Sequence, residues 1–103
     1  MSNIHDARVE KIYDHPEIIG LEDIIYRSMA EQFKQNNRLI YEPDLLMFDG
    51  NKYYIVEYKC SERGRNKAMK QLKTAELWFN QHYKDRFAEY LFVYGITFET
   101  EMI

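Results

Sequence analysis

Pro43-Asp44-Leu45-Leu46-Met47-Phe48-Asp49-Gly50-Asn51-Lys52-Tyr53-Tyr54-Ile55-Val56-Glu57-Tyr58-Lys59 reads as strand, tight turn, strand. Asp-Gly between two apolar runs is among the better short-range hairpin signals. Side chains alternate across a strand, so Ile55, Glu57 and Lys59 share one face while Val56 and Tyr58 take the other. A turn centred between Gly50 and Asn51 sets Asp44 opposite Glu57. A turn centred between Asp49 and Gly50 sets it opposite Ile55, one pleat away on the same face. A three-residue loop breaks the parity unless a bulge restores it. Two of these three registers gather Asp44, Glu57 and Lys59.

Two carboxylates and an ammonium on one sheet can hold a divalent cation and position a water. Mg²⁺ prefers hard oxygen ligands and keeps several waters, taking only one or two carboxylates from the protein. Such an ion draws charge off a phosphate and acidifies a bound water, which Lys59 could orient. The plain alternative is a surface hairpin carrying an ordinary Glu/Lys ladder.

Working outward, residues 6–13 suggest a short helix with Val9, Ile12 and Tyr13 on its apolar side. Asp14-His15-Pro16 should end it, because the residue before proline avoids the helical region. Residues 20–36 predict a longer helix from Leu21, Ile25, Met29 and Phe33. Residues 38–42, 44–48 and 53–60 predict three strands, and residues 67–83 a second helix with Leu72, Ala75, Phe79 and Tyr83 buried. Residues 90–94 predict a buried strand, and residues 96–103 a terminal extended piece. A helical crossover into that strand favours parallel pairing. The expectation is an α/β fold with a mixed sheet: helix, three strands, helix, strand, with an extra helix in front. Cys60 is expected to be a small core residue on the face opposite Lys59.

On the helix expected over 20–36, Glu22 lies roughly 60° from Ile25, inside the apolar arc, whereas Glu31 falls outside it. Glu22 is then either a site residue or a first-turn charge favoured by the helix dipole. Gln71 borders the apolar arc of the second helix, where an amide either touches a phosphate or a metal-bound water, or is a polar rim. Residues 61–73 hold five basic side chains, Arg63, Arg65, Lys67, Lys70 and Lys73, against one acidic, Glu62. That run follows the acidic cluster directly and suits a phosphate backbone.

With 103 residues, a single domain over residues 1–103 is expected. The net charge of −3 argues against a generally basic coat protein but not against local patches. One cysteine excludes an internal disulfide or a thiolate zinc site, and the three histidines show no ligand spacing. No apolar run approaches a membrane span. The start, Met1-Ser2-Asn3-Ile4-His5-Asp6, lacks a signal peptide's pattern, so a soluble cytoplasmic protein is expected.

These residues resemble the PD-(D/E)xK nuclease superfamily, whose motif is matched literally by Pro43-Asp44 and Glu57-Tyr58-Lys59. The order of expected elements over residues 20–95 matches the family's restriction-endonuclease-like αβββαβ core. The resemblance implies that Asp44, Glu57 and the Tyr58 carbonyl bind Mg²⁺ or Mn²⁺, that Lys59 serves the attacking water, and that Glu22 supplies the first helix's acid, through a water. It also implies a role for Gln71, as in the resolvase- and exonuclease-like branches. Those branches often place an aromatic four residues after the glutamine; here Ala75 stands there and the nearest aromatic is Trp78. Residues 43–72 look most like small archaeal or viral relatives of Holliday-junction resolvases and repair endonucleases.

The resemblance implies a metal-dependent endonuclease acting on DNA, structure-specific rather than sequence-specific, since a minimal domain has little surface for base readout. A homodimer would supply two sites for a junction. A phosphate-gripping surface alone does not reject RNA. The other reading is a non-catalytic or partner-dependent nucleic-acid-binding scaffold on the same fold, which a divalent-metal titration would separate from the first.

Overall fold

A computed structural model describes residues 3–103. Met1 and Ser2, which open the segment read for a leader, lie outside the described residues. Helix α1 (Ile4–Asp14) starts where the Asn3 side chain accepts a 2.8 Å bond from the Asp6 amide, and stops at His15 ahead of Pro16. Short strands β1 (Tyr26–Ser28), β2 (Phe33–Gln35), β3 (Arg38–Tyr41) and β4 (Leu45–Phe48) lead into β5 (Lys52–Lys59). Helix α2 (Arg65–His82) crosses to β6 (Phe87–Tyr94), and β7 (Glu99–Met102) closes the chain.

The protein is α/β, with a mixed five-stranded sheet ordered β1-β4-β5-β6-β7 and two helices. Strands β1, β4 and β5 form an antiparallel meander, β6 joins β5 in parallel, and β7 adds antiparallel. Pleat alternation sorts the core into two layers. Leu45, Met47, Val56, Tyr58, Leu91 and Val93 pack against Val9 and Ile12 of α1. Leu46, Ile55, Tyr90 and Phe92 pack against Ala68, Leu72, Ala75 and Phe79 of α2. Among the described residues no helix is long and apolar enough to cross a membrane.

The helix expected over residues 20–36 does not form. Gly20, Asp23, Asn36 and Asn37 all take positive φ (80°, 57°, 53° and 64°), which a right-handed helix cannot contain. The presumed stripe is split. Leu21 packs in the α1 layer and Phe33 in the α2 layer, while Ile25 is 71 % and Met29 43 % exposed. One apolar residue per four is too narrow a stripe to define a buried helix face. Asn36-Asn37 instead form the two-residue turn of the β2–β3 hairpin, closed by the pair Gln35↔Arg38. Two consecutive positive-φ residues are what a type I′ hairpin turn requires, and asparagine tolerates them. The strand expected over 38–42 therefore belongs to a separate two-stranded sheet, and β1 supplies the meander's first strand. The first helix that packs on the sheet is α1. Cys60 is exposed rather than in the core, and Tyr83 is half-exposed at the end of α2.

Candidate functional site

The β4–β5 turn decides where the acidic residues meet. The Asp49 side chain accepts from the amides of Asn51 and Lys52, both at 2.8 Å, and from the Tyr54 hydroxyl at 2.8 Å. Those amide bonds hold the Asp49 carboxyl below the usual range. Gly50 takes φ 98° and the ladder closes with Phe48↔Tyr53. The turn is thus centred between Gly50 and Asn51. The ladder runs to Leu45↔Val56, and one step further sets Asp44 opposite Glu57.

Glu57 is only 3 % exposed, the one charged residue buried to this degree among the described residues. Burial, and then the negative charge of Asp44, push its carboxyl up to about 8. The Tyr41 hydroxyl donates to Glu57 Oε2, and Lys59 Nζ lies 3.7 Å from Oε1; both favour the ionised form. Burial and the same carboxylate raise the Tyr41 phenol in turn.

Asp44 Oδ2 accepts a 2.8 Å bond from the Tyr58 amide. It also lies 3.2 Å from His5 Nε2, and that nitrogen lies 3.1 Å from the Tyr58 carbonyl oxygen. Two of the oxygens expected to hold a metal therefore converge on a single point. On the α1 side, Asp6, Val9 and Glu10 join His5, Glu42, Pro43 and Asp44 around one recess. Gln71, half-buried on α2, carries a buried Oε1 with no hydrogen-bond partner among the described residues.

Among the described residues, no three His, Cys, Asp or Glu side chains gather closely enough to hold a metal ion by themselves. Two carboxylates and a main-chain carbonyl, all hard oxygens, nevertheless fit Mg²⁺, which fills its other positions with water. The two adjoining carboxyls, one of them buried and pushed up, are a donor set that a cation would stabilise in the ionised form.

The structure brings Asp44, Glu57, Tyr58 and Lys59 together at the end of the β4–β5 ladder. It leaves Glu22 elsewhere. Glu22 is exposed in the loop before β1, in a recess lined by Pro16, Glu17, Leu21, Asp23, Ile24 and Arg27. With no helix over residues 20–36, the wheel that selected it has no physical basis. Arg65 is also not free to grip phosphate. It donates to both oxygens of Glu101 and to Glu62, and its guanidinium lies over the rings of Phe92 and Tyr94. Those carboxylates raise its pKa further. Arg63, Lys67, Lys70 and Lys73 remain exposed, the last three spaced three apart on α2.

Sequence reasoning missed His5, Glu10, Tyr41 and Gly64. The first two lie on α1, which takes the place expected of a helix over residues 20–36. Tyr41 stands two residues before Pro43, in a strand that pairs with β2 outside the main sheet. Gly64 matters through space: a Cβ built there would lie 2.6 Å from Lys59 Cγ and 2.7 Å from Lys59 Cβ.

No protein-family model, curated protein or solved structure matches this chain. What the site can do therefore follows from its own atoms.

Proposed function

We propose that this protein is a metal-dependent nuclease of the PD-(D/E)xK kind that hydrolyses phosphodiester bonds in DNA. The observation that carries the reading is Glu57, buried beside Asp44 with Lys59 Nζ 3.7 Å away. A carboxyl buried beside a carboxylate keeps its proton unless enough positive charge joins it, so the pair ionises fully only with a cation bound. The succession α1, β1, β4, β5, α2, β6 supports a restriction-endonuclease-like core, with the β2–β3 hairpin inserted and β7 appended. In that core the acid of the first helix is Glu10, with Asp6 one turn before it, rather than Glu22.

Mg²⁺ or Mn²⁺, held by Asp44, Glu57 and the Tyr58 carbonyl, would withdraw charge from the phosphate and acidify a water. Lys59 orients that water and stabilises the charge that develops on the phosphate. Tyr41 fixes Glu57 through Oε2 and leaves Oε1 on the Lys59 side. His5, bonded to both Asp44 and the Tyr58 carbonyl, either joins the donor set or gives way to it. The buried Gln71 Oε1, without a partner among the described residues, would accept from a water of the site. Arg63, Lys67, Lys70 and Lys73 contact the backbone on either side of the cut, without reading sequence.

The test is a cleavage panel of single-stranded, nicked, flapped, branched and four-way DNA, with RNA alongside, in Mg²⁺ and in Mn²⁺. Cleavage is expected from the wild type and is lost in Glu57→Gln and Lys59→Ala. A wild type that cuts nothing, and whose melting temperature is unmoved by either metal, would overturn the proposal and leave a binding scaffold.

A further inference from the structure

The β2–β3 hairpin stands apart from the main sheet, and its root is bolted to the site. Phe33 stacks on Trp78 of α2 at 4.2 Å, Trp78 Nε1 donates to the Lys34 carbonyl at 2.8 Å, and the Tyr41 hydroxyl donates to Glu57. Beyond that root it is exposed among the described residues. Leu39 is 51 % and Ile40 40 % exposed, and residues 34–38 are exposed throughout. The register slips between Phe33 and Lys34, pairing Phe33 with Tyr41 but Lys34 with Leu39, so Ile40 is the extra residue of a bulge. Bulges re-aim side chains and recur beside active sites. Residues 33–41 contain Lys34 and Arg38 and no carboxylate, in a chain whose net charge is −3.

An isolated exposed aliphatic needs no explanation. Here two adjacent ones are flanked by two cations on an element anchored to the buried carboxylate. Leu39 lies about 7 Å along the strand from Tyr41, close enough to meet the nucleotides adjoining a phosphate held at Glu57. Cations attract phosphate oxygens, while leucine and isoleucine need an apolar face. Nucleic acid offers both where a base has left its stack, and apolar wedges of this kind enter opened base steps.

We propose that the β2–β3 hairpin is a nucleic-acid wedge: Lys34 and Arg38 hold phosphates while Leu39 and Ile40 pack against an unstacked base next to the scissile bond. The substrate class is then DNA with unpaired or opened bases at the cut, rather than continuous duplex. This assignment rests on the nuclease reading above.

The test measures fluorescence anisotropy of the full chain, in chelator, on a forked DNA and on a continuous duplex of the same length. Circular dichroism confirms folding of the variants, all of whose changed side chains are exposed. Leu39→Gln/Ile40→Gln is expected to weaken fork binding about tenfold or more and duplex binding less than about twofold. Lys34→Gln/Arg38→Gln is expected to weaken both and to reduce the slope of log affinity against log salt by about 2, near 0.9 per cation. Unchanged fork binding in the aliphatic variant overturns the wedge. So does loss of self-association in that variant with nucleic-acid binding intact, which would assign the pair to a protein interface. A wild type with the expected binding pattern but no cleavage refutes the nuclease and leaves the hairpin a wedge on opened bases with no scissile bond beside it. Glu57-dependent cleavage with fork binding indifferent to the hairpin refutes the wedge alone.

Discussion

Replacing Gly64 by alanine asks whether the stem of Lys59 is held where the chemistry needs it. The backbone at Gly64, φ −80° and ψ 0°, is open to other residues, so strain does not explain the glycine. Space does. An added Cβ would lie 2.6 Å from Lys59 Cγ, 2.7 Å from Cβ and 3.0 Å from Cδ. Carbon contacts settle at about 3.5–4.0 Å, so something must move by about 1 Å. Lys59 Cβ and Cγ are the fixed end of the side chain, on a strand paired with Tyr94 of β6, and cannot swing aside as its tip could. The displacement passes to Nζ, now 3.7 Å from Glu57 Oε1. A 1 Å error in a catalytic group costs about 10²-fold. Steady-state kinetics of Gly64→Ala should therefore show kcat reduced by about that factor with KM unchanged. Mg²⁺ affinity should hold, because Asp44, Glu57 and the Tyr58 carbonyl are untouched. Overpacking also costs about 1–3 kcal/mol, which lowers Tm by about 4–8 °C per kcal/mol in a domain of this size. Part of that loss should vanish when Gly64→Ala is made on Lys59→Ala, which removes Cγ and Cδ. Relief could instead come from the turn over Glu62–Gly64 moving outward. A lowered Tm with wild-type kcat would show this, and would refute the claim that Gly64 positions Lys59.

Glu57, pushed up to about 8, keeps its proton in the folded state at pH values where the unfolded chain has released it. In metal-free buffer, folded stability should fall as pH rises from about 4.5 towards 8, at up to about 1.4 kcal/mol per pH unit. Glu57→Gln should flatten that profile in thermal melts, and a wild-type profile already flat would contradict it. Metal binding has to expel the same proton, so apparent Mg²⁺ affinity by calorimetry should climb with pH through this window. Gln71→Met removes a buried Oε1 that has no partner among the described residues; Tm should rise, reflecting relief of a cost of about 1–3 kcal/mol, while turnover falls. Asn37→Val places a β-branched residue at φ 64° and should cost at least about 1–2 kcal/mol by urea unfolding, whereas Asn37→Gly should be close to neutral.

Legibility in the sequence followed the range of the interaction involved. The β4–β5 hairpin is specified within fifteen residues by Asp49-Gly50 and by alternation, and its turn falls in one of the registers expected from parity. Helix α2 and strand β6 announce themselves by continuous periodicity. Residues 20–36 failed because four apolar side chains at helical spacing face different layers or solvent. The signal against a helix lies in Asn36-Asn37, a hairpin turn pair at the edge of the expected helix. Local turn chemistry outweighs an apolar line one residue wide.

The site divides in the same way. Asp44, Glu57 and Lys59 could be placed because one hairpin carries them, and period-two geometry needs no tertiary information. His5 and Tyr41 could not, since each reaches the carboxylates from an element whose position depends on the whole fold. Their contacts bear directly on the chemistry: His5 ties Asp44 to the Tyr58 carbonyl, and Tyr41 ties the β2–β3 hairpin to Glu57. A Tyr41→Phe substitution would leave the motif intact and cut that tie. If the hairpin senses an opened base, the change should uncouple fork binding from cleavage: fork affinity stays near wild type while turnover on fork drops towards turnover on duplex. Equal loss on both substrates would mean that Tyr41 serves Glu57 alone and that the hairpin carries no message to the site.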